Sequence, residues 1–150
     1  MSMKHAWCSA NCNLLRKVKN VKAITIWQPW ATFIAEGKKL IETRTWRTKY
    51  RGPLLICAGK HWDKQFSERS RYRFGVAVAV VDLADCRPMT PRDVQDALCD
   101  FEPGRYAWML KNIREIKPFP VRGRQMLFDV EYPPDGGKIE FMCPERKAEK

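Results

Sequence analysis

The sequence lacks several things that would assign it quickly. No apolar run approaches the about 20 residues that a membrane-spanning helix needs. The N-terminal residues are basic and polar, without the apolar core of a secretory signal, so the expected compartment is the cytoplasm. There is no glycine-rich phosphate loop, no placeable Ser-His-Asp set, no pair of metal-ligand motifs and no internal repeat. His5, Cys8 and Cys12 lie close together, but three ligands fall short of the four that structural zinc requires, so neither a metal nor a cofactor is expected. The six cysteines are scattered, and in a cytoplasmic chain of this length they read as reduced thiols. Acidic residues are scarce at the front: residues 1–22 contain none, against five Lys or Arg.

What is present fits one domain with enough length to bury a core. The net charge is +11, and its distribution is uneven. Residues 1–73 carry 16 basic against 4 acidic side chains, while residues 74–150 carry 12 against 13. A positive field confined to one half is the footprint of a nucleic-acid binder.

The basic half contains the stretch that organises the rest, ITIWQPWATFIAEGKKLIETRTWRTKYRGPLLICAGK over residues 24–60. It predicts a short strand, then a helix that begins at Pro29 and stops at Gly37. Proline is pre-set for a first helical turn, and glycine tolerates the positive φ of a helix end. A polar strand follows over residues 40–47. Alternation puts Glu42, Arg44 and Trp46 on one face, about 6.5 Å apart, with Ile41, Thr43 and Thr45 on the other. The guanidinium of Arg44 can fork onto an anion, Trp46 offers a π face to a base, and Glu42 can accept from an exocyclic amine. The plain alternative is a solvated strand face with a surface ion pair. Another alternative is a buried pair of Glu42 and Arg44 that only holds the fold together. After the basic turn of Arg47, Lys49 and Arg51, residues 53–58 form an apolar run that reads as a strand buried on both faces, with Lys60 at its end.

Residues 61–74 interleave Arg69, Arg71 and Arg73 with Tyr72 and Phe74, a mixture that suits single-stranded nucleic acid. Residues 75–83, GVAVAVVDL, are the clearest strand and are expected at the centre of the sheet. Thr90, Pro91 and Asp93 mark a helix start, with Val94, Ala97, Leu98 and Phe101 facing inward. A strand over 106–116 puts Tyr106, Trp108 and Leu110 on one face. Pro118 and Pro120 are expected to break it. A last strand is predicted over 126–131. The chain thus divides into a basic N-terminal segment (1–21), the domain (22–132) and a Pro/Gly-rich, charged tail (133–150) expected to be largely disordered, with one short strand at 139–142.

Gln28-Pro29-Trp30-Ala31, Gly37 with Lys39, the row Glu42, Arg44, Trp46, and then Tyr50-Arg51-Gly52 and Ala58 to Lys60 closely resemble the core of the ASCH domain, a member of the PUA-like β-barrel superfamily. The later run YAWMLKNIREIKPFPVRGRQMLFDVE resembles the usual ending of its bacterial and phage-type members. The resemblance spans residues 22–132. It implies an α+β fold: a small PUA-like mixed β-barrel with two or three short helices.

It also implies binding of RNA or another single-stranded nucleic acid, or a modified nucleoside, in a basic cleft. Glu42, Arg44 and Trp46 would form the floor, and Lys39, Arg51 and Lys60 would neutralise phosphate. An enzymatic alternative comes with the same family. Some ASCH-like proteins hydrolyse the amide of N4-acetylcytidine with a lysine after the helix-ending glycine, a threonine three residues on and a distant glutamate. Lys39 matches the lysine, but Glu42 stands at the threonine position. That removes the proposed nucleophile, and Thr43 alternates to the other face. Ribonuclease activity is also attributed to ASCH-like members, for which Lys39, Glu42, Tyr50 and Lys60 are the candidate acid–base groups.

Overall fold

The computed structural model describes residues 20–132. The basic arm with His5, Cys8 and Cys12, and the tail from residue 133, lie outside the described residues. Six strands and two short α-helices follow in the order β1 (Asn20–Gln28), α1 (Trp30–Ala35), β2 (Ile41–Arg44), β3 (Gly52–Trp62), β4 (Val76–Pro88), α2 (Val94–Ala97), β5 (Tyr106–Pro120) and β6 (Phe128–Glu131). Single 3₁₀ turns at Arg69–Arg71 and Pro91–Asp93 precede β4 and α2 respectively. The strands form one sheet in the order β2-β5-β4-β3-β1-β6. β1 and β3 run parallel, and every other pairing is antiparallel. The α+β class and the short helices agree with expectation. The sheet does not close into a barrel, because β2 and β6, four residues each, end it on opposite edges and do not pair with each other.

Period-2 alternation sorts the apolar residues into two cores. Ile24 and Ile26 of β1, Leu54 and Ile56 of β3, and Trp108 and Leu110 of β5 pack under Ala31 and Ile34 of α1. Ala23, Leu55, Cys57, Val80 and Phe128 face the other way. β3 is therefore buried on both faces, as its apolar run predicts. Each fully buried Leu or Ile contributes about 1.5–3 kcal/mol.

The α1 helix is shorter than the proline-to-glycine span. Pro29 is its N-cap, and Gly37 beyond its end adopts φ +76°. Gln28, fully buried, accepts from the Thr32 amide and hydroxyl at 3.0 Å each and donates to the Arg73 carbonyl at 2.8 Å. That side chain substitutes for the cap that proline lacks.

Three expectations fail for identifiable reasons. β5 continues through Pro118 to Pro120: the register shifts between Ala77 and Ala79, so Pro118 falls in a bulge where no ladder donor is needed, and Pro120 is the final residue. Leu98 and Phe101 are exposed, at 37% and 38%, because α2 ends at Ala97 and Leu98 turns into the left-handed region at φ +54°. The polar strand stops at Arg44, so Thr45 and Trp46 are placed by the following loop and not by strand alternation.

Candidate functional site: two clefts sharing a tryptophan ridge

The loop after α1 and strand β2 deliver three ionic side chains to one spot. Lys39 is 4% exposed and Glu42 9%. The Lys39 ammonium donates to the Ala97 carbonyl of α2, lies 3.9 Å from Glu42 Oε2 and sits 5.3 Å from the Trp30 ring centre. Arg44 Nη2 donates to the Thr25 carbonyl of β1 at 2.8 Å, and its Nε lies 3.5 Å from Glu42 Oε1. Glu42 Oε2 and Arg44 Nε have no hydrogen-bond partner among the described residues. Buried polar atoms are rarely left this way.

This triad floors a cleft of about 840 Å³ walled by Trp27, Trp30, Phe66 and Trp46, with Leu98, Asp100 and Arg105 on the α2 side. Trp30, Phe33 and Phe66 interlock edge to face, with centroids 5.2–5.8 Å apart, and the Trp30 indole donates to Asp63 at 3.1 Å. The two tryptophans at the mouth differ. Trp46 is half-buried, packed edge-on against the core residue Trp108 at 4.7 Å, and its carbonyl accepts from the Trp108 indole. Trp27 is 52% exposed and lies 5.2 Å from the His61 ring at an angle of 30°. Trp27 thus offers the freer π face.

Trp27, Arg44 and Trp46 also form one wall of a second cleft of about 1020 Å³. Its other lining includes Lys60, His61, Arg122 and Arg124, and no Asp or Glu. The first cleft, by contrast, is lined by Glu42, Asp63, Asp100 and Glu102 as well as its cations.

Of the residues singled out from sequence, Lys39, Glu42, Arg44 and Trp46 come together in the first cleft. Lys60 lies across the ridge in the second. Arg51 lines neither cleft: it bonds to the Thr48 and Tyr50 carbonyls and to Asp85 at 3.2 Å. Lys39, Arg51 and Lys60 therefore do not face one phosphate. Tyr50 is likewise outside both clefts. Its hydroxyl donates to the Pro53 carbonyl at 2.5 Å, and burial, with Asp82 adding, pushes its pKa up. Thr43, placed by alternation opposite Glu42, also borders the first cleft, but its hydroxyl accepts from Arg105 at 3.5 Å and lies 3.9 Å from the Cys99 sulfur.

Sequence reading missed Trp27, Arg105, Arg122 and Arg124 as site residues. A signal for Trp27 existed, since the ITIWQ alternation that buries Ile24 and Ile26 turns Thr25 and Trp27 outward. Among the described residues no group of His, Cys, Asp and Glu could hold a metal ion, and no helix is long and apolar enough to cross a membrane.

Comparison with known proteins agrees with this architecture. A crystal structure of ASCH from Zymomonas mobilis superposes with a TM-score of 0.56 at 14% identity, covering 76% of this chain and 90% of that one. A serine-to-alanine variant of the same protein gives 0.52 at 14% identity, covering 74% and 88%. These likenesses establish the fold. In sequence, activating signal cointegrator 1 from Mus musculus is 27% identical over 83% of this chain, and the Homo sapiens protein 25% identical over the same share. The chain spans only 25% of the length of either relative. The family model for the ASCH domain matches residues 24–120, and the chain belongs to the ASCH domain family.

Proposed function

We propose that this ASCH domain is a binding module that seats a nucleobase of single-stranded RNA, plain or modified, in the first cleft. The family is associated with RNA binding. The observation that carries the finer reading is the half-exposed indole of Trp27 at the mouth of a cleft whose floor holds an unpaired acceptor, Glu42 Oε2, and an unpaired donor, Arg44 Nε. Both atoms are buried in the free protein, and once the floor side chains shift to expose them a base edge with an amino group beside an acceptor, as in cytosine or adenine, supplies the partner for each. Stacking on Trp27 adds about 1–3 kcal/mol per base. Uracil in the same pose exchanges both groups, setting its O4 carbonyl against the carboxylate and its N3–H against the arginine donor.

Chemical-shift mapping with cytidine, adenosine, uridine and N4-acetylcytidine tests this. The expected result is perturbation at Trp27, Glu42, Arg44 and Trp46, cytidine and adenosine ahead of uridine, and a loss of about 5–150-fold in Trp27→Ala. Nucleosides that leave those residues unperturbed overturn the reading. The hydrolytic alternative has less behind it. The Lys39 ammonium is engaged by the Ala97 carbonyl, and the Thr43 hydroxyl is turned to Arg105 and Cys99. Release of acetate from N4-acetylcytidine, or cleavage of labelled RNA, that is lost in Lys39→Ala would nevertheless replace the binding role with an enzymatic one.

A further inference from the structure

The first cleft is a poor place for phosphate, because four carboxylates line it. The second is the reverse. Lys60, Arg122 and Arg124 are exposed there, and none has an acidic partner among the described residues. Cations that no carboxylate neutralises, gathered in a concave surface, focus a positive potential and attract an anion. Two of the three are arginines, whose planar fork fits phosphate oxygens.

The segments that carry them converge on Thr25. The Arg124 amide donates to Thr25 Oγ1 at 3.1 Å. Gly123 approaches Thr25 so closely that a Cβ there would meet its side chain at 3.0 Å, and at Gly59, next to Lys60, a Cβ would meet Thr25 Cγ2 at 2.8 Å. The Thr25 carbonyl holds Arg44. One residue of β1 thus bonds the backbone of Arg124 and the guanidinium on the shared ridge, and the glycine before Lys60 packs closely against it.

We propose that the second cleft is the phosphodiester subsite of the same RNA site. The strand lays its phosphates against Lys60, Arg122 and Arg124, crosses the ridge at Trp27 and turns one base into the first cleft. This rests on the nucleobase reading above and adds the path of the strand. It transfers phosphate contact from Lys39 and Arg51 to Arg122 and Arg124.

The test measures binding of a short cytidine-containing single-stranded RNA by fluorescence anisotropy across a salt series, beside free cytidine measured by chemical shift. Each single-strand phosphate contact contributes about 0.7 to the slope of log K against log salt, so Arg122→Ala with Arg124→Ala makes the slope shallower by about 1.4. The same relation gives a loss on the order of 25-fold at 0.1 M salt, taken from a common value at 1 M. Replacing both with lysine keeps most of the slope. Cytidine, which has no phosphate, binds the alanine variant as it binds the parent.

An unchanged RNA slope overturns the subsite while leaving the nucleobase reading intact. A parallel loss for RNA and cytidine overturns it too, since the 121–127 segment then only supports the first cleft. Failure of cytidine to bind the parent, together with the expected slope change, removes the nucleobase reading and keeps the phosphate assignment. A duplex RNA bound with equal affinity and slope overturns the single-strand path.

Discussion

Asp93→Asn tests whether the wall of the first cleft is held by one charged cap. The Asp93 side chain is 5% exposed and receives four hydrogen bonds: Arg87 Nη1 at 2.8 Å, Arg87 Nη2 at 2.7 Å, the Thr90 amide at 2.8 Å and the Thr90 hydroxyl at 3.2 Å. The Arg87 guanidinium, with the Thr90 amide and hydroxyl, lowers its pKa from 3.8 to about 2. At 1.36 kcal/mol per unit the charged form stabilises the fold by about 2.5 kcal/mol. Because the folded pKa is the depressed one, this contribution is complete above the unfolded value near 4 and drains away as the pH falls toward 2. About 1 kcal/mol of it is gone at pH 3. Urea denaturation of parent and variant at pH 7, 4 and 3 measures the difference directly, with the other carboxylates common to both. The expected gap is about 2–2.5 kcal/mol at pH 7, narrowing by about 1 kcal/mol at pH 3. A gap that does not move with pH refutes the ionised cap. The consequence reaches the site, because the turn leads into α2, whose Ala97 carbonyl holds Lys39 and whose Asp96 carbonyl takes the Leu40 amide at 2.9 Å.

Three further outcomes are expected. Trp108→Ala, at a fully buried position, lowers stability by about 3–5 kcal/mol in chemical denaturation and removes the ring against which Trp46 packs, so cytidine affinity falls with it. Gly59→Ala drives a methyl group to 2.8 Å from Thr25 Cγ2 and costs about 1–3 kcal/mol, read as a lower melting temperature; an unchanged melting temperature shows that the wall yields. Burial pushes the Cys57 thiol up to about 12, so peptide mapping after iodoacetamide finds Cys57 labelled only once the protein is unfolded; labelling of the native protein contradicts a closed second core.

What could be read from sequence was local chemistry. Gly37 at positive φ, the Thr90-Pro91-Asp93 start and the doubly buried β3 all follow from residues within a few positions of one another. Lys39, Glu42, Arg44 and Trp46 were legible for the same reason, since they lie within eight consecutive positions. The second cleft was not. It forms because β1 and β3 pair in parallel, putting Thr25 beside Cys57, and because the segment after β5 returns to bond Thr25 across 99 residues. No local pattern announces such a juxtaposition. The prolines of β5 misled for a related reason: a bulge excuses a missing donor, and bulges are set by the partner strand.

The ionic floor belongs to one of two adjoining clefts that differ in charge. Glu42 is shared between Lys39 and Arg44 at 3.9 and 3.5 Å, too far for short charge-assisted bonds, while each cation is firmly bonded to a carbonyl of a different element. The carboxylate therefore holds α2 and β1 to the strand between them mainly by charge, and removing one partner from such a buried set costs about 3–5 kcal/mol. Summed, the floor carries one net positive charge under a rim that holds Asp63, Asp100 and Glu102. A phosphate gains little there. On the proposed reading a neutral base with both donors and acceptors gains a partner for Oε2 and another for Nε once the floor side chains shift to expose them. Across the ridge the same Arg44 shares with Lys60, Arg122 and Arg124 a cleft that no Asp or Glu lines. On the two proposals base and phosphate are sorted by where the carboxylates are, and the indole of Trp27 stands on the ridge that both clefts share.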